Sequence, residues 1–104
     1  MKFSERVLEL TKRIPKGKVT TYSELARAAG SPGASRAAGT VMRRNECPES
    51  MPCYRVVRSD GSVGAYSGVA NSKEKIRRLR KDGIQVAAGK VDLKRYVHSF
   101  RKTS

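Results

Sequence analysis

The chain has no tryptophan, a single histidine, two cysteines and only 9 acidic side chains among 104 residues. Each shortage closes off a class of function. One His with two Cys makes up no standard four-ligand zinc set, so no metal is expected, and nothing in the residues asks for a cofactor. Two thiols, Cys47 and Cys53, in a chain without a secretory apolar region do not suggest a disulfide scaffold. No apolar run approaches the length of a membrane span. Without Trp, no basic helix carries the wide aromatic face of a membrane-surface anchor. The expected compartment is the cytoplasm. At this length one modest core can form, and a single domain over residues 1–104 is expected.

Against those shortages stands an excess of positive charge. Lys and Arg number 23, which leaves a formal net charge of +14. On a small domain such an excess points to a polyanion partner, nucleic acid first, although a thermophile-like surface enriched in Lys and Arg would supply part of it.

Phe3, Val7, Leu10 and Ile14 fall at helical spacing after Ser4, a good N-cap, and the run stops at Pro15 and Gly17. In "TTYSELARAAG", Thr21 followed by Glu24 makes a capping-box pattern and Gly30 closes a short second helix. "SPGA" reads as a turn, with Ser31 and Pro32 suited to starting a third helix that runs to Asn45. Two short helices joined by a tight turn make a helix-turn-helix. The third helix is flat: Ala34, Ser35, Ala37, Ala38 and Gly39 are small, with Arg36 standing among them.

"NECPESMP" reads as a loop that delivers the chain into "CYRVV", a short strand ending at the turn "SDGS". After the glycine-rich "VGAYSGVA", Asn71 and Glu74 repeat the capping-box pattern. Ile76 and Leu79 mark the inner face of a fourth helix ended by Gly83, and the rest of "KEKIRRLRK" reads as a charged outer face. The tail "VDLKRYVHSF" reads as a strand or extended segment, with His98 at the surface.

Cysteine is among the most buried and inert residue types, so residue types alone leave Cys53 open between a core thiol and a nucleophile. Arg36 is likewise open between a solvated helix arginine and a functional one, and Tyr22 and Tyr66 between core aromatics and pocket walls. Cys47 has no motif behind it.

The ordered segments "TTYSELARAAG", "SRAAGTVMRRN", "MPCYRVV", "GSVGAYSG", "RKDGI" and "VDLKRY" resemble the DNA-binding and active-site domain of the O6-alkylguanine-DNA alkyltransferases over nearly the whole chain. The resemblance implies a mostly α fold with short strands, a winged-helix-like helix-turn-helix alkyltransferase domain, whose long form carries a further N-terminal domain. It also implies a self-inactivating repair reaction on double-stranded DNA containing O6-alkylguanine, with the base flipped out through the minor groove and its alkyl group kept on Cys53.

Carried over residue by residue, Arg36 fills the gap left in the stack. The small Ala34, Ser35, Ala37 and Gly39, with Arg43, form the DNA face. Tyr22 pushes on the lesion's phosphate and brings its hydroxyl near the base's N3, and the Ser67 amide meets the leaving oxygen. Tyr66 lines the guanine pocket walled by Val63 to Gly68, Val56 offers a backbone contact, and Asn45 braces the loop. Arg55 reads as structural, tying the strand to neighbouring backbone. Two positions depart from the family: Tyr54 stands where a histidine follows the cysteine, and Asp82 where a glutamate holds that imidazole. A phenol, with a reference pKa near 10, is a poorer base than imidazole, so a relay through water, Tyr54 and Asp82 implies slower thiol activation.

Two other functions compete. Short alkyltransferase-like proteins flip and clamp the lesion and hand it to an excision-repair partner, but carry tryptophan or alanine where Cys53 stands; on either reading this chain is expected to act as a monomer. A plain helix-turn-helix regulator would leave "MPCYRVV" and "VGAYSG" unexplained.

Overall fold

A computed structural model describes residues 2–44, 53–63, 73–98 and 100, with the backbone alone at 43, 44 and 53. Helix α1 spans Phe3–Lys12, β1 Thr20–Thr21, α2 Tyr22–Ala28 and α3 Ser35–Arg44. A 3-10 turn at Cys53–Arg55 leads into β2, Val56–Val57. Helix α4, Lys73–Lys81, is followed by β3 (Val86–Ala87), β4 (Lys90–Val91) and the one-turn α5 (Leu93–Tyr96).

The Thr21 cap of α2 and the glycine stops of α2 and α4 act as read, while Asn71, read as the cap of α4, lies outside the described residues. Thr21 Oγ1 accepts the backbone N–H of Glu24 at 3.1 Å, which caps α2. At the other end Gly30 takes φ +95°, its N–H bonds the Arg27 carbonyl and the Ser31 N–H bonds that of Ala26. That pair is a Schellman motif. It recurs after α4, where Gly83 N–H meets Arg80 and Ile84 N–H meets Leu79.

Other boundaries differ from the sequence reading. The N-cap of α1 is Lys2, so Ser4 lies inside the first turn. Ser31 to Ala34 form a turn closed by a 3.1 Å bond from Ala34 N–H to the Ser31 carbonyl, with Gly33 at φ +87°. A Pro followed by a positive-φ Gly is a type II turn, so Pro32 belongs to the turn and α3 starts only at Ser35. Cys53 to Arg55 wind into a 3-10 turn, leaving only Val56 and Val57 as strand. The tail is a hairpin strand and then helix α5, capped by Asp92 Oδ1, which accepts the Lys94 N–H at 3.1 Å. His98 is half-buried, its N–H bonded to the Val19 carbonyl and its ring edge-on to Phe100.

Strand β2 pairs parallel with β1, Thr20 opposite Val56 and Thr21 opposite Val57. Because strand side chains alternate in direction, the two valines face opposite ways. Val56 joins a cluster of Val7, Ile14, Leu25, Ala26, Ala29, Ala38 and Met42, formed by α1, α2 and α3. Val57 joins Val19, Val63, Leu79, Ile84, Val86, Val91 and Tyr96. The two-residue strand is the wall between two small cores. Ile14 lies past the end of α1 and is still buried, because the turn before Pro15 delivers it inward.

The second core is closed by the hairpin β3–β4, in which Val86 pairs Val91 and Ala87 pairs Lys90. The loop Arg58 to Ser62 docks on it. Gly61 N–H meets the Arg58 carbonyl, Asp60 Oδ1 accepts from Ser62, and Val91 N–H bonds the Gly61 carbonyl at 2.9 Å. No helix among the described residues is long and apolar enough to cross a membrane.

Candidate functional site: a thiol-bearing turn beside a recognition helix

The 3-10 turn carrying Cys53 is held by a closed set of polar contacts. The Tyr54 hydroxyl donates to Asp82 Oδ2 at 2.8 Å and accepts from Arg55 Nη2 at 2.9 Å. Arg55 Nε donates to the same carboxylate oxygen at 3.0 Å, and its Nη1 donates to the Ile14 carbonyl at 2.8 Å. Arg55 is therefore structural, as read, and it also makes an ion pair with Asp82 that the sequence did not reveal. The two side chains are only 14% and 8% exposed, so the pair is little screened.

The Tyr54 hydroxyl is pushed above the usual phenol range, by burial first and then by its bond to the Asp82 carboxylate, against the opposing charge of Arg55. It stays a phenol at neutral pH. Such a group cannot take up a proton and keep it. It can only accept one while passing its own to Asp82. Arg55 and Arg78 lie over its ring, 5.1 Å and 5.9 Å from the centroid. An open cavity of about 360 Å³ lies alongside, lined by Tyr54, Arg77, Arg78, Lys81 and Asp82.

The structure thus brings Tyr54 and Asp82 together on the turn of Cys53, whose side chain lies outside the described residues. Asn45, Tyr66, Ser67, Cys47 and Asn71 also lie outside them, as does the side chain of Arg43. Val56 is fully buried in β2.

On the other side of the wall, the second helix of the helix-turn-helix presents Arg36 and Ala37 to solvent, with Ser35 half-exposed. Ala38 is fully buried and Ala34 packs on the first core. Part of the small-residue run therefore serves the packing of α3 on α2 and not an outer face. Gly39 adjoins Tyr22: a Cβ there would lie 3.9 Å from the tyrosine Cδ1. Tyr22, at the first position of α2, is half-buried, so its ring touches both the core and the recognition helix.

Lys75 is the residue that sequence reading misplaced. Read as part of a charged outer face, it is 1% exposed. The available signal was its position four residues before Leu79, which puts both on one side of α4. Burial, helped by the charge of Arg58, lowers its pKa to about 7, and its Nζ lies 5.9 Å from the centroid of the Tyr22 ring.

Comparison with known proteins places this geometry. A bifunctional methyltransferase/endonuclease of Picrophilus torridus is 54% identical over 84 residues, which cover 81% of this chain and 28% of that one. A methylated-DNA–protein-cysteine methyltransferase of Methanothermobacter thermautotrophicus is 39% identical over 84 residues, 81% of this chain and 46% of that one. The chain thus spans less than half the length of these curated relatives. Among solved structures, S. pombe Atl1 in complex with damaged DNA containing O6-carboxymethylguanine superposes with a TM-score of 0.85 at 28% identity, covering 93% of this chain and 94% of that one. Residues 2–84 match the family described as the DNA-binding domain of 6-O-methylguanine DNA methyltransferase, and with the helix-turn-helix and the thiol-bearing turn in place, the chain belongs to that family.

Proposed function

We propose that the protein binds duplex DNA containing O6-alkylguanine, flips the damaged base out of the stack and transfers the alkyl group irreversibly to Cys53. The observation that carries this reading is the turn "PCYR", with Cys53 in the residue before a tyrosine whose hydroxyl is 2.8 Å from Asp82. In the transfer, a bond forms between the Cys53 sulfur and the alkyl carbon while the carbon–O6 bond breaks and its electron pair stays on guanine. The proton lost by the thiol balances the one guanine gains. Tyr54 and Asp82 offer the route by which the thiol is deprotonated, and Tyr22 serves the base side. Arg36 occupies the gap, with Ser35, Ala37 and Gly39 allowing α3 to lie close to the groove. Ser67, Tyr66, Asn45 and Val56 keep the base-pocket roles that the family implies, and Arg43 a phosphate role.

A second reading, the lesion sensor that recruits excision repair, is favoured by the match to S. pombe Atl1 over nearly the full length of both chains. The raised proton affinity of Tyr54 also suits it. The methyltransferase/endonuclease named in Picrophilus torridus fits a cleavage partner in that setting.

Intact mass after incubation with an O6-methylguanine duplex separates the two. The transferase gains one methyl per molecule, mapped to Cys53, and Cys53→Ala retains lesion binding without the mass gain. Tight, selective binding with no mass gain, or a methyl on Cys47, overturns the transferase and leaves the sensor.

A further inference from the structure

Three stretches far apart in the chain bring exposed cations to the C-terminal end of α4. Arg80 and Lys81 come from the helix itself. The turn after α1, closed by the Lys18 N–H on the Pro15 carbonyl, adds Lys16 and Lys18, and it abuts the helix end: a Cβ on Gly17 would lie 3.7 Å from the Asp82 carbonyl oxygen. Val19, the next residue, donates its N–H to the Tyr96 carbonyl and bridges Val97, which puts this turn beside α5 and its exposed Arg95. We propose that this patch is a second, sequence-independent face for duplex DNA, so that one molecule grips a second DNA segment by its phosphates while α3 occupies the first. The proposal rests on the reading that α3 is the lesion-side face, and on nothing about Cys53.

The simplest account of cations here is an ordinary solvated helix end. The macrodipole leaves roughly half a negative charge there, which suits one or two of them. It does not ask for more from other segments, since like charges gathered on one surface raise the energy of the folded chain. The carboxylates nearby are engaged: Asp82, its side chain 8% exposed, by Arg55 and Tyr54, and Asp92 as the cap of α5. The two guanidiniums are fixed in place. Arg80 Nη2 donates to the Val86 carbonyl at 2.9 Å and Arg95 Nη1 to Gln85 Oε1 at 3.4 Å, so less side-chain freedom is left to lose on binding. Each fork keeps further N–H donors. An open cavity of about 500 Å³, lined by Arg80 and residues 83–87, gives a phosphodiester room beside the guanidinium.

Placement makes this face a separate one. Helix α3 packs on the first core through Ala38 and Met42 and α4 on the second through Leu79, with Val56 and Val57 of β2 as the wall between them. A duplex lying on α3 therefore leaves this end of α4 to another segment. The side chains favour nucleic acid over an acidic protein. Protein interfaces are anchored by aromatic and apolar side chains, and among the described residues no aromatic is exposed and Val97 is the one exposed large apolar side chain. Phosphates need only charge and donors.

The test is the number of short duplexes held by one protein, measured by sedimentation at low salt. A duplex with O6-methylguanine fills the first face, and a differently labelled undamaged duplex is titrated to excess. The wild type should carry both. Lys16→Gln combined with Lys18→Gln, in an exposed turn, should keep the first duplex and lose the second, or hold it with a log–log salt slope lower by about 1.8, at about 0.9 per lost contact. Lys16→Arg combined with Lys18→Arg should hold both again. Arg80→Gln and Arg95→Gln should act as the glutamine pair does. Should Arg80→Gln unfold for want of its Val86 bond, the lysine pair decides.

A wild type that takes up one duplex at every excess, or a glutamine pair that binds the second duplex as tightly as the wild type, overturns this proposal alone. In the first case, a poly-glutamate chain that binds the wild type and not the glutamine pair assigns the patch to an acidic protein instead. A glutamine pair that loses the first duplex while Arg36→Ala keeps it overturns the reading of α3, and this proposal with it.

Discussion

At the scale of single residues, Gly61 and Lys75 are the positions where the backbone and the interior tolerate least. A Cβ at Gly61 would lie 2.5 Å from the Val91 carbonyl, and its φ of +88° is one that L side chains rarely adopt. Gly61→Ala must therefore push the loop off the β3–β4 hairpin as well as strain the backbone, and should cost about 2 to 4 kcal/mol, measured by urea denaturation. Lys75 acts on stability through protons. Its folded pKa of about 7 lies below the unfolded value of 10.5, so between these pH values the unfolded chain binds the extra proton. Stability from this group is thus fully present above the unfolded value and is lost as pH falls through about 7. The gain on going from neutral to alkaline solution is of order 4 kcal/mol at most. Lys75→Met should remove that slope, and a slope unchanged in the variant would show that the lysine titrates as an exposed one.

At the scale of elements, the β3–β4 hairpin carries local strain and α2 carries its own stop and start. The hairpin turn places Ala88 at φ +52° and Gly89 at φ +72°. Both positions of such a two-residue turn want Gly, Asn or Asp, and an alanine in the left-handed region costs about 1 kcal/mol or more. Ala88→Asn should raise the melting temperature by a few degrees, since Asn tolerates the left-handed region better than alanine. An unchanged or lower melting temperature would mean that the alanine side chain packs usefully. Thr21 is both the last residue of β1 and the cap of α2, so Thr21→Ala loses a hydrogen bond at the joint between the wall and the helix-turn-helix. About 1 kcal/mol should be lost.

At the scale of the whole molecule, one arginine ties the two cores together. Arg55 reaches the Ile14 carbonyl beside the first core and Asp82 at the end of α4 beside the second. Arg55→Met leaves Asp82 with only the Tyr54 hydroxyl among its described partners, and should cost about 3 kcal/mol in a little-screened setting. For the proposed alkyl transfer, the same contacts set the expected pH profile. With the Tyr54 hydroxyl held as a phenol, thiol ionisation lacks a base of imidazole strength, so the transfer rate should keep rising into the alkaline range. Tyr54→His should raise the neutral-pH rate and flatten the rise, while Tyr54→Phe should slow transfer without weakening DNA binding. A profile flat from neutrality upward would show that surrounding cations already ionise Cys53. The formal charge of +14 also implies several phosphate contacts, each adding about 0.9 to the log–log salt slope of binding to undamaged duplex.

The sequence by itself determined whatever depends on neighbours within about one helical turn. Thr21 and Gly30 bound α2 because a cap and a left-handed stop act on backbone groups two to four residues away, and Gly83 ends α4 for the same reason. The motif around Cys53 was equally legible, since its residues are contiguous. Tertiary structure alone decided the rest. Pro32 favours a helix start or a turn with the same φ, and the closing bond from Ala34 to Ser31 chose the turn. Arg55 and Asp82 are 27 residues apart and meet only because α4 lies on the 3-10 turn. Lys75 is of a residue type that usually lies at the surface, and it becomes an interior one, 1% exposed, only once α4 is packed into the fold. A charge reads as exposed until packing removes its water, and that removal is a property of the assembled fold and not of any local stretch of chain.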